Sequence, residues 1–143
     1  MDEPDTIWNV LHDGSITNAN LKGDVLTLQV AIPYLRRFFM PAGDGFRVDL
    51  LGCTGGVIEF WDDSPPSQDL GRLNDLQPEI LSAEAQPDGL IRVCIDGGFI
   101  TLGYREVRLA LDTGPAITLH QLIAAASQYW DEFERRGTER GGA

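Results

Sequence analysis

Histidine, cysteine and lysine are the scarce residues of this 143-residue chain, present two, two and one times. Each scarcity closes off a kind of chemistry. His12, Cys53, Cys94 and His120 are scattered without the paired spacing from which zinc sites are built. A dinuclear phosphohydrolase of the His-Asp type needs several histidines beyond His12 and His120. The glycine-rich run Gly52-Cys53-Thr54-Gly55-Gly56 lacks the lysine of a phosphate-cradling loop and reads as a turn between strands. Neither a Gly-x-Ser-x-Gly elbow nor a dinucleotide fingerprint is present. No apolar run approaches the about 20 residues of a membrane span. The acidic start Met1-Asp2-Glu3-Pro4-Asp5 has neither the basic nor the apolar part of a secretory signal. The expectation is a soluble cytoplasmic protein that contacts no membrane and has no cofactor, no metal and no catalytic residues. Cys53 and Cys94 are expected in separate strands as small buried thiols, able to form a disulfide only if those strands are adjacent.

Basic residues are also few: 11 Lys and Arg face 22 Asp and Glu, for a net charge of −11. Phosphate backbones are bound mainly by clustered Lys and Arg, so a nucleic-acid partner is excluded. The imbalance is concentrated. Residues 1–40 sum to −2, residues 41–90 to −8 and residues 91–143 to −1. One lysine against ten arginines points to a GC-rich bacterial genome. With 43% apolar and 23% charged residues, the composition is that of a globular protein, and residues 1–143 read as a single domain.

The clearest pattern is at residues 24–32, where Leu26, Leu28, Val30 and Ile32 alternate with Val25, Thr27, Gln29 and Ala31. A strict period of two is a strand with one buried face, and this strand is expected at the centre of the sheet. Residues 15–21 precede it across Lys22-Gly23 as a hairpin partner. Pro33 ends the ladder, having no N–H to donate, and opens a short helical turn over residues 34–39. Further strands are predicted over residues 46–51, 57–61, 79–86, 90–96, 99–104 and 107–111, with Pro87-Asp88-Gly89 as the most sharply marked turn. Residues 6–11 suit one or two helical turns against the core. The terminal helix opens with a Thr118/Gln121 capping box. It puts Leu119, Leu122, Ile123, Ala126, Tyr129, Trp130 and Phe133 on a core-facing arc of about 120° and ends at Gly137, with residues 1–5 and 138–143 frayed. The predicted fold is α+β: an antiparallel meander, sandwich or partly closed barrel of roughly seven or eight strands with this one C-terminal amphipathic helix packed on it.

Function is sought in what the strands leave over. Residues 62–78 form a long, acidic, proline-bearing connection, pinned by Leu70, Leu73 and Leu76 at a spacing of three. Its Asp62, Asp63, Asp69 and Asp75 do not follow the alternating loop of a calcium site. Together with Trp61, an aromatic of the kind enriched at interfaces, they are the candidate recognition surface for a basic protein. Arg36-Arg37, between Tyr34 and Phe38, is a second candidate patch. His12-Asp13 is the one local pair with a catalytic look, since a carboxylate beside an imidazole fixes its tautomer; the preferred reading is an Asp13-Gly14 turn with His12 packed or hydrogen-bonded locally.

Leu11-His12-Asp13-Gly14-Ser15-Ile16, the hairpin into an alternating strand and the closing Gln128-Tyr129-Trp130 helix together resemble small acidic uncharacterised bacterial proteins, including immunity proteins of polymorphic toxin systems. The resemblance implies a non-enzymatic domain that occupies a toxin's active site, and it assigns no individual binding residue. The alternatives are a structural subunit of a larger assembly, with residues 34–39 as its apolar contact, and a hydrolase-like enzyme using His12 and Asp13. The oligomeric state is left open.

Overall fold

The period-two stretch around Leu28 forms β2 (Val25–Ala31), in which Leu26, Leu28 and Val30 are buried and the residues between them are half-buried. It pairs antiparallel with β1 (Ser15–Lys22) on one side and with β3 (Gly45–Leu51) on the other. β8 (Glu106–Leu111) and the two-residue β9 (Ala116–Ile117) complete a five-stranded sheet in the order β1-β2-β3-β8-β9. The middle strand is therefore β3, and β2 lies one place off centre. A single row of side chains, Ala19, Leu28, Val48, Leu109 and Ile117, crosses all five strands. The second sheet has the order β4-β7-β6-β5, from β4 (Thr54–Phe60), β5 (Ile80–Ala85), β6 (Ile91–Ile95) and β7 (Gly98–Gly103). Its inward residues, Ile58, Ile80, Ile91, Val93, Ile95, Ile100 and Leu102, join those of the first sheet in one hydrophobic core. The computed structural model describes residues 6–141.

The fold is α+β and antiparallel as expected, with a helix at its C-terminal end; of the meander, sandwich and partly closed barrel it is two sheets not closed into a barrel, with nine strands among the described residues where seven or eight were expected. Two strand predictions shift. β9 is too short for alternation to betray it. β4 begins at Thr54, inside the run read as a turn, because its register slips between Thr54 and Val57. Gly55 has φ +67, and a Cβ on Gly56 would lie 2.6 Å from Leu70, so glycine is required twice for backbone and packing reasons. The Pro87-Asp88-Gly89 turn forms as expected, with Gly89 at φ +85 and Gln86 N–H donating to Leu90 O.

The helices are seated between strand ends and edges. α1 (Thr6–Val10) drives Ile7 and Trp8 into the core, with Leu11 just behind them, and the Trp8 indole N–H donates to Tyr104 Oη at 2.9 Å. α2 (Pro33–Arg36) follows β2 directly. A 3-10 turn (Leu70–Arg72) and α3 (Leu73–Leu76) sink Leu70 and Leu73, which pin the long acidic connection, whereas the third leucine, Leu76, is exposed. In α4 (Leu119–Gly141) the capping box is present in both directions: Gln121 N–H donates to Thr118 Oγ1, and Thr118 N–H to Gln121 Oε1. The helix runs through Gly137, since one interior glycine costs only about 1 kcal/mol. It rests on α1 and α2. Leu122 and Ala125 are buried there, whereas Trp130 and Phe133 are 38% and 54% exposed, so the core-facing arc holds for its first turns and overhangs beyond. None of the described helices is long and apolar enough to cross a membrane.

Sheet edges offer unpaired N–H and C=O groups, and this fold covers them with side chains and loops. Asn74 on α3 pairs with Ala19 of β1 as a strand would, its amide donating to Ala19 O (2.8 Å) and its Oδ1 accepting Ala19 N–H (2.9 Å). Asn9 on α1 does the same for Ala83 of β5, at 3.1 and 3.0 Å. Along β4, Ile58 and Ser67 exchange both backbone hydrogen bonds.

Candidate functional site

The outer face of the second sheet follows from the burial of its inner one. Because Ile91, Val93 and Ile95 point inward, Arg92 and Cys94 point out, and the ladder sets two outward rows across it: Glu59, Phe99, Cys94 and Ser82, then Val57, Thr101, Arg92 and Glu84. The main helical contacts of this sheet are at its edges, α1 at β5 and the 3-10 turn at β4. The centre of the face is aromatic and cationic. The Arg92 guanidinium carbon sits 3.9 Å from the Phe99 ring centroid, and Arg92 Nε is buried without a hydrogen-bond partner among the described residues. Trp61, just past the end of β4, stands edge-on to Phe99 at 6.3 Å and is 58% exposed. Glu59, Glu84, Asp62 and Asp63 give the surroundings of this cluster an acidic character.

The sequence-predicted acids divide into two groups. Asp62 and Asp63 adjoin Trp61, whereas Asp69 and Asp75 belong to the 3-10 turn and α3, which pack against β1. Two of them hold the local chain. Asp62 Oδ1 accepts Ser64 N–H at 2.8 Å, and the Ser64 hydroxyl and N–H keep this exposed carboxyl below its ordinary range. Asp69 caps the 3-10 turn by accepting Gly71 N–H at 2.9 Å. Asp63 and Asp75 are exposed and make no side-chain hydrogen bond among the described residues. Recognition can therefore use Trp61, Asp62 and Asp63 together, while Asp69 and Asp75 lie on a separate element.

The Arg36-Arg37 patch is split by the structure. Arg36 is fully buried: its Nε donates to Gly45 O and Asp112 Oδ1, both at 3.0 Å, while Nη1 reaches Phe39 O and Nη2 reaches Thr113 Oγ1. Asp112 Oδ2 accepts the N–H groups of Asp44 and Gly45. Partial burial pushes the Asp112 carboxyl up, but these donors and the guanidinium outweigh it and leave it below its ordinary range. Adjacent in sequence, Arg37 is exposed, bonded to Glu132 Oε2 at 2.8 Å and stacked on Phe38. No local signal marks the pairing of Arg36 with a residue 76 positions on.

His12 and Asp13 serve the turn and a contact. His12 Nδ1 donates to Asn9 O at 2.7 Å, and its ring stacks on Trp130 at 5.7 Å, 5° from parallel. Asp13 adopts φ +71 and donates its N–H to Ile80 O, the turn role that was the alternative at this position. Nε2 lies 3.7 Å from Asp13 Oδ2. His120 is exposed in the first turn of α4. The contact extends into an aromatic cluster: Tyr129 meets Tyr34, Trp130 and Phe133, and Tyr34 donates its hydroxyl to His12 O. Burial, then the charges of Asp13 and Tyr129, push the Tyr34 phenol from 10.0 up to about 12. Cys53, in the connection between β3 and β4, and Cys94, on β6, are both half-buried free thiols. Burial and then Asp24 raise the Cys53 thiol. Among the described residues no group of three or more His, Cys, Asp or Glu could hold a metal ion.

Comparison of the chain with family models, with curated proteins and with solved structures found no match.

Proposed function

We propose that this chain is a non-enzymatic protein-binding domain, of the toxin-neutralising immunity kind, that meets a basic partner with the outer face of its β4-β7-β6-β5 sheet. The observation that carries the reading is the exposed Trp61 standing against the Phe99–Arg92 stack, on a sheet whose main helical contacts are at its edges. Trp and Arg are the residues on which binding energy concentrates, and a flat sheet face presents them without further ordering. The acids around them suit a basic partner, raising its on-rate in a way that salt weakens.

Trp61→Ala removes the anchor from the surface, and Asp63→Lys reverses a charge that holds no turn. In a low-salt pull-down from the native host, the parent should capture a basic protein, Trp61→Ala should lose at least about ten-fold in affinity, and Asp63→Lys should mainly slow association. Capture that is indifferent to both substitutions and to salt would sink the proposal.

A second reading, a subunit of a larger assembly, is favoured by the half-exposed aromatic cluster where α2 meets α4.

A further inference from the structure

Arg92 stands unpaired although a partner of opposite charge is set beside it. The ladder places Glu84 directly across from Arg92, a position at which oppositely charged side chains attract. The arginine leans the other way, toward β7, and lies on Phe99, two residues along from its own ladder partner Thr101. Glu84 accepts from the Gln86 amide instead, at 3.4 Å. Among the described residues Arg92 makes no hydrogen bond or ion pair; its Nε is buried, while its Nη nitrogens reach the surface. A guanidinium keeps all its donors in its own plane, so stacking on Phe99 leaves the Nη edge open to an acceptor arriving from outside.

The surroundings decide what that acceptor is. Glu59 stands opposite Phe99 on β4 and Glu84 opposite Arg92 on β5, both exposed, and Asp62 and Asp63 follow Trp61. These acids repel a phosphate chain or a run of carboxylates, so nucleic acid and polyacidic segments are turned away. A wholly cationic surface fails at the centre, where it would meet Arg92 with like charge. A basic surface with a single carboxylate in its middle satisfies both conditions.

Resting on the reading that a basic partner docks on this face, we propose that Arg92 receives one carboxylate side chain of that partner, an Asp or Glu set among Lys and Arg. The planar fork holds both carboxylate oxygens in two parallel N–H···O bonds, and the partner's cations meet Glu59, Glu84 and Asp63. Docking removes water from the Phe99–Arg92 stack, which makes this pair the contact that sets specificity. A partner without the carboxylate would bury an unpaired cation.

The test uses the full chain labelled with 15N, followed at the Trp61 indole N–H and the Arg92 Nε–H. Its probes are the blocked peptide acetyl-Lys-Arg-Glu-Arg-Lys-amide, the same peptide with glutamine for glutamate, and acetyl-Glu-Glu-Glu-Glu-Glu-amide. At low salt both basic peptides should shift Trp61, while the glutamate version alone shifts Arg92 and binds at least about ten-fold more tightly, the scale of one charge-assisted pair. The all-glutamate peptide should bind more weakly than either. Arg92→Gln should bind the two basic peptides equally, and Arg92→Lys, which keeps the charge without the fork, should discriminate less than the parent. Equal affinity of the parent for the two basic peptides, with Trp61 responding to both, would overturn this proposal and leave the basic-partner reading standing. Silence of Trp61 toward both removes that reading and this one with it. Preference for the all-glutamate peptide overturns the proposal by showing a face that takes any anion.

Discussion

Arg36 shows how much of a structure hangs on one residue that its neighbours in sequence do not explain. It is 0% exposed, and Asp112 is the charge that makes this tolerable. Asp112→Ala leaves a buried guanidinium without a counter-charge and frees the Asp44 and Gly45 N–H groups. Loss of one partner from a fully buried pair costs about 3–5 kcal/mol; here about 2–4 is expected, because Asp112 keeps some contact with water. The pH dependence follows from the depressed native pKa. A carboxyl that binds its proton less readily in the folded state contributes stability fully above its unfolded pKa of about 3.9 and loses it as pH falls through the lower native value. Urea denaturation across that acid range should show the parent losing stability that Asp112→Asn has already lost, with a flatter curve for the variant. A parallel pair of curves would show that Asp112 is not the titrating partner. None of this was legible beforehand: Arg36-Arg37 looked like one exposed patch, and no local pattern shows that a Cβ on Gly43 would collide with Asp112 Oδ1.

At the scale of elements, legibility tracked how local the cause was. β2, the Pro87-Asp88-Gly89 turn and the Thr118/Gln121 cap are written in adjacent residues, and all three form over the residues that carry the pattern, although β2 is one place from the centre of its sheet. β9 and the start of β4 depend on distant partners, Leu109 and Gly103, and left no period to read. The edge-covering asparagines were equally silent, because an Asn is ordinary in a short helix until Ala19 or Ala83 lies opposite. The row through Leu28 tests the framework. Leu28→Asp removes a side chain worth about 2–5 kcal/mol in place and buries a carboxylate facing Ala19 and Val48, so the sum rivals the whole about 5–15 kcal/mol of a domain's stability. Circular dichroism should find no cooperative melt; a folded, cooperatively melting variant would show that this row is dispensable.

Across the whole molecule, two kinds of surface compete for the same partner-binding role. The acidic character lies mainly in residues 41–90, which sum to −8, and part of it borders the Trp61 face. The overhanging end of α4 carries Trp130 edge-on to both Tyr129 and Phe133, with Arg37 pairing to Glu132 beside them. The apolar arc that suggested a buried helix was correct about which side is apolar and wrong about how far the core reaches, since Leu122 and Ala125 are buried and Trp130 and Phe133 are not. If this cluster joins copies of the chain, sedimentation should show a concentration-dependent oligomer that Trp130→Ser and Phe133→Ser together dissolve. The exposed positions keep that change inexpensive, within about 0.5–1 kcal/mol of the parent's stability. Capture by the Trp61 face should survive it, because the two clusters share no residue. A parent that sediments as a monomer at all concentrations would remove the assembly reading and leave the sheet face as the surface on which the function is argued.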